Sequence, residues 1–343
     1  MKKSLFLPVF GAVFFIAYIL TANFSGLDFF GVLKTVNPLF YGLTILVSVG
    51  EIVFFALTWK KLVNFLHVKL GIVKSFLYVM YGSYLDILIP AESISGEISR
   101  AYLVSRDDRE LEGKSIASVV FHRFINTVIT TVLLVVCLVY TIESDAITLL
   151  TVALLGVQGL TLVMILLFCF YKTLAIRLSW KVAKVVTWFT KRFGTYDVLE
   201  AKIEKVGLMF HDSINQYIHS KEAVMIAILY ASLSLGCAFG VSYLVFMSID
   251  YRVLPLTVIL STMLINAIKA IPVGIPFEVG LPEITMTTLY AWFGLPLAIV
   301  AVSTILTRIV TLWFRFVIGF ISYQIVEIKH GVTARAIARH LPE

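Results

Sequence analysis

Charge is scarce in this sequence. Only 14% of its 343 residues are Asp, Glu, Lys or Arg, while 59% are hydrophobic, against about a quarter charged in a soluble globular domain. So little charge cannot coat a water-facing surface, which excludes a soluble domain. Cysteine is rarer still: Cys137, Cys169 and Cys237 each lie inside an apolar run, with no CxxC pair and no His at ligand spacing. That excludes a disulfide framework and a structural zinc site. HExxH, GxSxG and Walker sequences are missing, and with them the metalloprotease, serine-hydrolase and nucleotide-hydrolase readings. The excess of 28 Lys plus Arg over 21 Asp plus Glu comes without a basic, aromatic nucleic-acid module. In a membrane chain that excess reports orientation and contact with anionic lipid. No catalytic residue, cofactor, metal ion or nucleic acid is expected.

What the sequence has instead is apolar runs of about twenty residues, the length that crosses roughly 30 Å of hydrocarbon. Six occur, near residues 5–21, 38–58, 116–141, 146–170, 223–248 and 297–326. The first follows Met1-Lys2-Lys3 as a secretory signal would, but no small-x-small cleavage site comes after it. It reads as a retained span. Two further runs, 72–90 and 253–272, are shorter or end in Pro, and each leads into a segment bearing Gly and Glu.

Lys and Arg gather at Lys60, Lys61, Lys69 and Lys74, again at Arg100, Arg106, Arg109 and Lys114, and most densely between residues 172 and 221. The positive-inside rule puts all three clusters in the cytoplasm. A run with cytoplasmic charge on both sides enters and leaves by one face, so residues about 72–105 read as a re-entrant hairpin. Span 116–141 then exits at Glu143 and Asp145, 146–170 returns, and 223–248 exits again. The last span ends inside, near Lys329, Arg335 and Arg339. Residues about 253–294 therefore begin and end outside, as a second re-entrant hairpin from the opposite face.

The expected fold class is an all-α polytopic membrane protein of six full spans and two re-entrant helical hairpins in an inverted-topology repeat. Residues 1–145 form the first repeat and 146–343 the second, with a cytoplasmic segment at 172–221 that is either an amphipathic helix on the leaflet or a solvated connector. The expected location is the cell membrane, with both termini cytoplasmic. Pro90, Gly96, Glu97 and Arg123 recur as Pro272, Gly280, Glu283 and Arg308, with 26 residues from Glu to Arg in the first half and 25 in the second. A competing reading makes both short runs complete crossings. It gives eight spans and sets the Arg100 cluster outside, against the charge bias.

Ionisable side chains within apolar segments are the informative ones, since a charge near the bilayer centre costs about 2.5–3.5 kcal/mol on insertion scales. Asp86, Glu92, Glu97 and Arg100 surround the first short run, with Arg123 in the next span; Lys269, Glu278 and Glu283 surround the second, with Arg308 and Arg315 beyond. Non-helical backbone at that depth needs protein or a water-filled cavity to satisfy its amides. Pro90, Gly96, Pro272, Gly274, Pro276, Gly280 and Pro282 break helices there.

The hairpin tips are expected to meet near the midplane around a polar cavity for an anionic headgroup. Arg123 and Arg308 are the expected ligand or gating residues, because the guanidinium fork gives two parallel hydrogen bonds to phosphate. Glu97 and Glu283 pair with them or compete for them, and Arg100, Asp86 and Lys269 complete the candidate substrate-binding set. The same charges also read as internal salt bridges that only hold the hairpins. Glu51, mid-span, is the candidate to carry a coupling proton, since burial raises a carboxyl pKa; a hydrogen bond to a helix break is the alternative. His122 reads as a polar neighbour of the cavity or interface rather than a metal ligand.

At residues 88–103, LIPAESISGEISRAYL, the chain has Pro90, Gly96, Glu97 and the pair Arg100-Ala101. In that pattern it resembles the lysylphosphatidylglycerol synthase transmembrane region, the flippase-like domain family. Residues 119–126 look like that family's Arg-bearing span, 272–283 like its Pro- and Gly-rich turn ending in Glu, and Arg308 like its final-span Arg. The sequence departs from the pattern at Asn126, where an Asp is common, and at GIPFEVG (274–280), which replaces a denser glycine turn.

The resemblance implies a lipid translocase, in some members fused to a soluble domain that transfers lysine from its tRNA to phosphatidylglycerol. Membrane segments occupy these 343 residues, so the transferase is expected to be absent and translocation or lipid binding to remain. The expected function is a flippase moving a lipid with a phosphate-bearing headgroup between leaflets. Its expected partner is a membrane lipid with an anionic headgroup, and a homo-oligomer is left open. Two rivals stay open. One is a membrane enzyme or subunit using Glu97, Glu283 or Asp86 as acid or base on a lipid-linked substrate. The other is a proton-coupled anion carrier using Glu51.

Overall fold

The computed structural model describes residues 29–89, 94–141, 145–190, 196–269 and 280–340, and among them every regular element is helical. Helices suit a bilayer because they satisfy their backbone hydrogen bonds within one segment. The described helices are α1 (Phe29–Lys34), α2 (Pro38–Phe65), α3 (Ile72–Leu88), α4 (Ile94–Asp107), α5 (Glu112–Thr141), α6 (Asp145–Phe170) and α7 (Lys172–Thr190). They continue with α8 (Tyr196–His219), α9 (Lys221–Ser248), α10 (Pro255–Lys269), α11 (Leu281–Trp292), α12 (Leu297–Arg308) and α13 (Arg315–His340). A π turn, Ile309–Phe314, joins the last two.

Five runs are long and apolar enough to cross a membrane: α2, α5, α6, α9 and the continuous stretch Leu297–Lys329. They correspond to five of the six expected spans; the other, residues 5–21, lies outside the described residues. The hairpin tips at 90–93 and 270–279, with Glu92 and Glu278, also lie outside them.

α2 and α9 are both 28 residues long and end alike. Beyond α2 the Val68 N–H donates to the Val63 carbonyl and the His67 N–H to that of Asn64; beyond α9 Tyr251 donates to Phe246 and Asp250 to Met247. This paired pattern is the Schellman cap, usually built on Gly. Here His67 (φ 63°) and Asp250 (φ 53°) take the left-handed position, which His and Asp adopt more readily than most residues with a Cβ. One offset of 183 residues relates the starts of α2 and α9, the two caps, and the starts of α3 and α10.

The chain forms two compact units. The first comprises Met1–Ala56, Val73–Ser99 and Ser232–Glu343; the second comprises Leu57–Ile72 and Arg100–Ala231. Helices α2, α4 and α9 contribute turns to each.

In the first unit, α3 and α4 fold back on one another through glycines. A Cβ on Gly82 would lie 2.8 Å from the Gly96 carbonyl oxygen, and one on Gly96 would lie 2.9 Å from that of Gly82 and strike the Asp86 carboxylate. Small residues of this kind let membrane helices approach closely. α13 meets α3 in the same way, Gly319 facing the Met80 carbonyl and Tyr84. Around that contact the Tyr84 ring packs against Phe316, Phe320 and Tyr323, with centroids 5.4, 5.8 and 5.4 Å away, and the Tyr81 hydroxyl donates to Glu327 Oε1 at 3.1 Å. α10 packs on α11. α2 and α9 run antiparallel: Val47 lies by Gly240, Gly50 by Cys237, and Ser234 Oγ donates to the Glu51 carbonyl at 2.9 Å.

In the second unit α5 packs on α6 and α8, and α7 packs back on α8. Tyr217 is fully buried, its ring stacked 4.5 Å from Phe121 and its hydroxyl donating to the Leu62 carbonyl at 2.8 Å. Lys202 and Lys205 of α8 bridge to Glu112 and Glu110 at 2.9 and 2.8 Å; exposed pairs like these contribute little stability. The polar segment at 172–221 is therefore two helices, not one. On α7, Lys184 Nζ lies 3.9 Å above the Trp180 ring.

Candidate functional site

Among the described residues, the most deeply buried charges of the first unit belong to one pair. Glu283 stands in the first turn of α11, where Pro282 suits a position that needs no backbone donor. Gly280 precedes that turn at φ +103°, a conformation that favours glycine. Its N–H donates to Glu283 Oε2 at 2.7 Å. The other carboxylate oxygen, Oε1, accepts from Arg308 Nε at 2.6 Å, and the two side chains are 1% and 2% exposed. Glu283 thus caps its own helix with one oxygen and neutralises a buried guanidinium with the other.

A second pair sits seven residues further along. Arg315 Nη2 donates to Glu51 Oε2 at 2.5 Å, with side chains 25% and 18% exposed, while Arg315 Nε is buried with no hydrogen-bond partner. The π turn Ile309–Phe314 separates the two arginines. Residues seven apart share a face of an α-helix, and the wider π turn, a device concentrated at functional sites, rotates Arg315 away from Arg308. Tyr41 donates to the Leu306 carbonyl just before this segment, at 3.1 Å.

Asp86 performs for α4 what Glu283 performs for α11. Its Oδ1 accepts from Ser95 Oγ and from the Gly96 N–H, each at 2.6 Å, and so places a negative charge on the positive end of a helix. Glu97, one residue on, is half-buried in the first turn of α4, and Lys269 is half-buried at the last residue of α10.

The second unit holds Arg100, Arg123 and His122. Arg100 is 5% exposed, lies 5.3 Å from the fully buried Trp59 ring, and directs Nη1 at His122 Nδ1 at 3.3 Å. Arg can only donate, so Nδ1 accepts, and the aromatic face adds a cation–π attraction. Trp59 is itself held by Ser118 Oγ, which accepts its Nε1–H at 3.1 Å. Arg123 is half-buried on α5. Outside the spans, His211 Nδ1–H donates to the Cys169 carbonyl at 2.9 Å, and burial first of all holds the His211 pKa below its usual value.

Of the residues singled out by sequence, the structure joins Glu283 to Arg308, Glu51 to Arg315 and Arg100 to His122. Asp86 meets the start of α4 through Ser95 and Gly96. The parts played by Trp59 and Tyr41 had no signal in the sequence beyond their presence in apolar runs. Among the described residues, no three His, Cys, Asp or Glu side chains converge as metal ligands.

Residues 6–319 match the family described as the lysylphosphatidylglycerol synthase TM region. A UPF0104 membrane protein of Pyrococcus horikoshii is 24% identical over 287 residues, which is 81% of this chain and 84% of its own. A UPF0104 membrane protein of Methanocaldococcus jannaschii is 23% identical over 333 residues, 95% of each chain. No solved structure matches the chain. With apolar spans along its length and a family match over most of its residues, this all-helical, multi-pass membrane chain belongs to the lysylphosphatidylglycerol synthase TM region family.

Proposed function

We propose that this protein is a lipid translocase of the cell membrane, moving a lipid with an anionic, phosphate-bearing headgroup between leaflets. The observation that carries the reading is the Glu283–Arg308 pair, a guanidinium 2% exposed within a membrane segment and held by the Glu283 carboxylate. A headgroup phosphate matches the same guanidinium fork. It displaces Glu283 from Arg308, and release of the headgroup restores the pair. Asp86, Glu97 and Lys269 stand on the two helical hairpins of the same unit and are assigned to its polar lining. Arg100 and Arg123 are assigned headgroup contacts on their charge alone.

In this reading α3–α4 and α10–α11 are re-entrant hairpins in an inverted-topology repeat, with both chain ends cytoplasmic. Several features support the repeat: the shared offset of 183 residues, the matched caps at His67 and Asp250, and a carboxylate accepting a glycine N–H at the start of both α4 and α11. Glu51 is the coupling carboxylate, its protonation releasing Arg315.

The test is translocation of a labelled phosphatidylglycerol in proteoliposomes, with Arg308→Ala and Arg123→Ala beside the wild type. Loss of transport in Arg308→Ala is expected. A wild-type rate no higher than that of empty liposomes rejects the reading.

A further inference from the structure

The second unit carries a half-open cavity of about 410 Å³ that takes no part in the charge pairs. Phe121 and Phe124 of α5, Leu166 and Phe170 of α6, Ile218 of α8 and Met225 of α9 wall it, so its interior resembles hydrocarbon. Water has too few polar partners there to fill it. An unfilled void would deprive its lining of dispersion contacts. Its size lies near the low end of the roughly 300–1,000 Å³ of ligand pockets, which suits one hydrocarbon chain rather than a whole two-chain lipid.

Its position names the occupant. The cavity sits where α6 ends and α9 begins, at the ends of two apolar spans, and there the hydrocarbon of a leaflet gives way to headgroups. Phe170 and Met225 are 60% and 65% exposed at this level. Among the lining residues Lys221 is the one charge. It is the exposed first residue of α9, whose first turn Ser220 caps by accepting the Ala223 N–H at 3.4 Å. The neighbouring Glu222 is answered by Lys61, 4.0 Å away. The rim therefore offers a cation and a helix N-terminus above an apolar well, a complement to a lipid whose chain is apolar and whose headgroup is negative.

We propose that this cavity holds one acyl chain of an anionic phospholipid, with Lys221 and the first turn of α9 taking the headgroup phosphate. The site belongs to the second unit, the Glu283–Arg308 pair to the first, and the proposal does not depend on translocation.

Native mass spectrometry of protein released from mild detergent, after incubation with phosphatidylglycerol or phosphatidylcholine, tests it. The wild type is expected to retain one phosphatidylglycerol in preference to phosphatidylcholine. Val224→Phe and Leu166→Trp fill the well from different walls, and each folded variant is expected to lose retention. Lys221→Gln, at an exposed position, keeps the chain site while its preference for phosphatidylglycerol falls about fivefold, the worth of one interfacial cation. Equal retention of both lipids by the wild type, wild-type retention in a folded well-filling variant, or an unchanged preference in Lys221→Gln overturns the proposal. Translocation measured in parallel separates the two readings. Retention without wild-type transport leaves this site standing, and transport without retention leaves the translocase standing.

Discussion

Glu283→Ala is the sharpest perturbation of the buried pair, because it removes two acceptors at once. Arg308 Nε loses its partner at 2.6 Å and the Gly280 N–H loses its own at 2.7 Å, in a place where neither side chain is more than 2% exposed. Removing one partner of a buried ion pair costs about 3–5 kcal/mol, and the lost cap adds about 1 kcal/mol. Glu283→Gln keeps an amide oxygen for Gly280 and nearly the same volume, so its loss is that of a charge-assisted hydrogen bond, about 1.5–3 kcal/mol. Combining Glu283→Gln with Arg308→Met withdraws both charges and returns their desolvation, so the double variant is expected to lose less than the two singles together. The coupling should be about 2 kcal/mol, within the range of residues in direct contact. Unfolding in micelles, followed by the reaction of buried Cys137 and half-buried Cys237 with a thiol dye, measures all four proteins. A coupling below about 0.5 kcal/mol, the scatter of independent sites, refutes the idea that these two groups neutralise one another away from water.

Three other perturbations follow from the same structure. Gly82→Ala sets a Cβ 2.8 Å from the Gly96 carbonyl oxygen; α3 and α4 must part, at about 1–3 kcal/mol for overpacking, and faster amide exchange in α4 than in wild type reports it. Glu51→Gln leaves Arg315 without its carboxylate, so lipid movement in proteoliposomes should lose its response to an imposed pH gradient; an unaltered response removes the coupling role. His211 is held below 6.5 chiefly by burial, with Lys172 adding to the fall and the Cys169 carbonyl and Asp212 opposing it. The unfolded chain therefore binds more protons than the folded one as pH drops below about 6.5, and stability should fall from there down to the folded pKa. His211→Gln should flatten that decline in unfolding midpoints measured between pH 7.5 and 5.5.

The spans were legible because hydrocarbon thickness alone sets their length, and all five that the structure describes coincide with apolar runs. The pairing of Glu283 with Arg308 was partly legible too, since Glu283 closes a Pro- and Gly-broken segment and Arg308 is a charge inside a long apolar run. Glu51 and Arg315 were each visible as charges out of place, but nothing along the chain joins residues 264 apart. Asp86 was read as part of a headgroup cavity. That a carboxylate on one helix accepts from the first turn of the next depends on how closely Gly82 and Gly96 let the helices approach, and that is a packing property. The caps at His67 and Asp250 were hidden for another reason: a left-handed residue is recognised in sequence by glycine, and here it carries a side chain. The 410 Å³ cavity, drawn from four helices, leaves no local trace at all.

The position of Glu51 links these levels. In two antiparallel helices related by a two-fold axis, a residue touches its own counterpart only where the axis passes between them. Ser234 is the counterpart of Glu51 under the offset of 183, and its hydroxyl donates to the Glu51 carbonyl. On the N-terminal side of Glu51, Val47 meets Gly240 and Gly50 meets Cys237, the partner numbers falling as the first rise. If the repeat is inverted as proposed, its axis lies in the plane of the membrane, and Glu51 sits at mid-depth, equally far from both faces. A proton carrier there needs no long excursion to serve either side; only the groups around it must change. The ion pair with Arg315, next to a π turn of the kind frequent at functional sites, is the element of the described structure best placed to make that change.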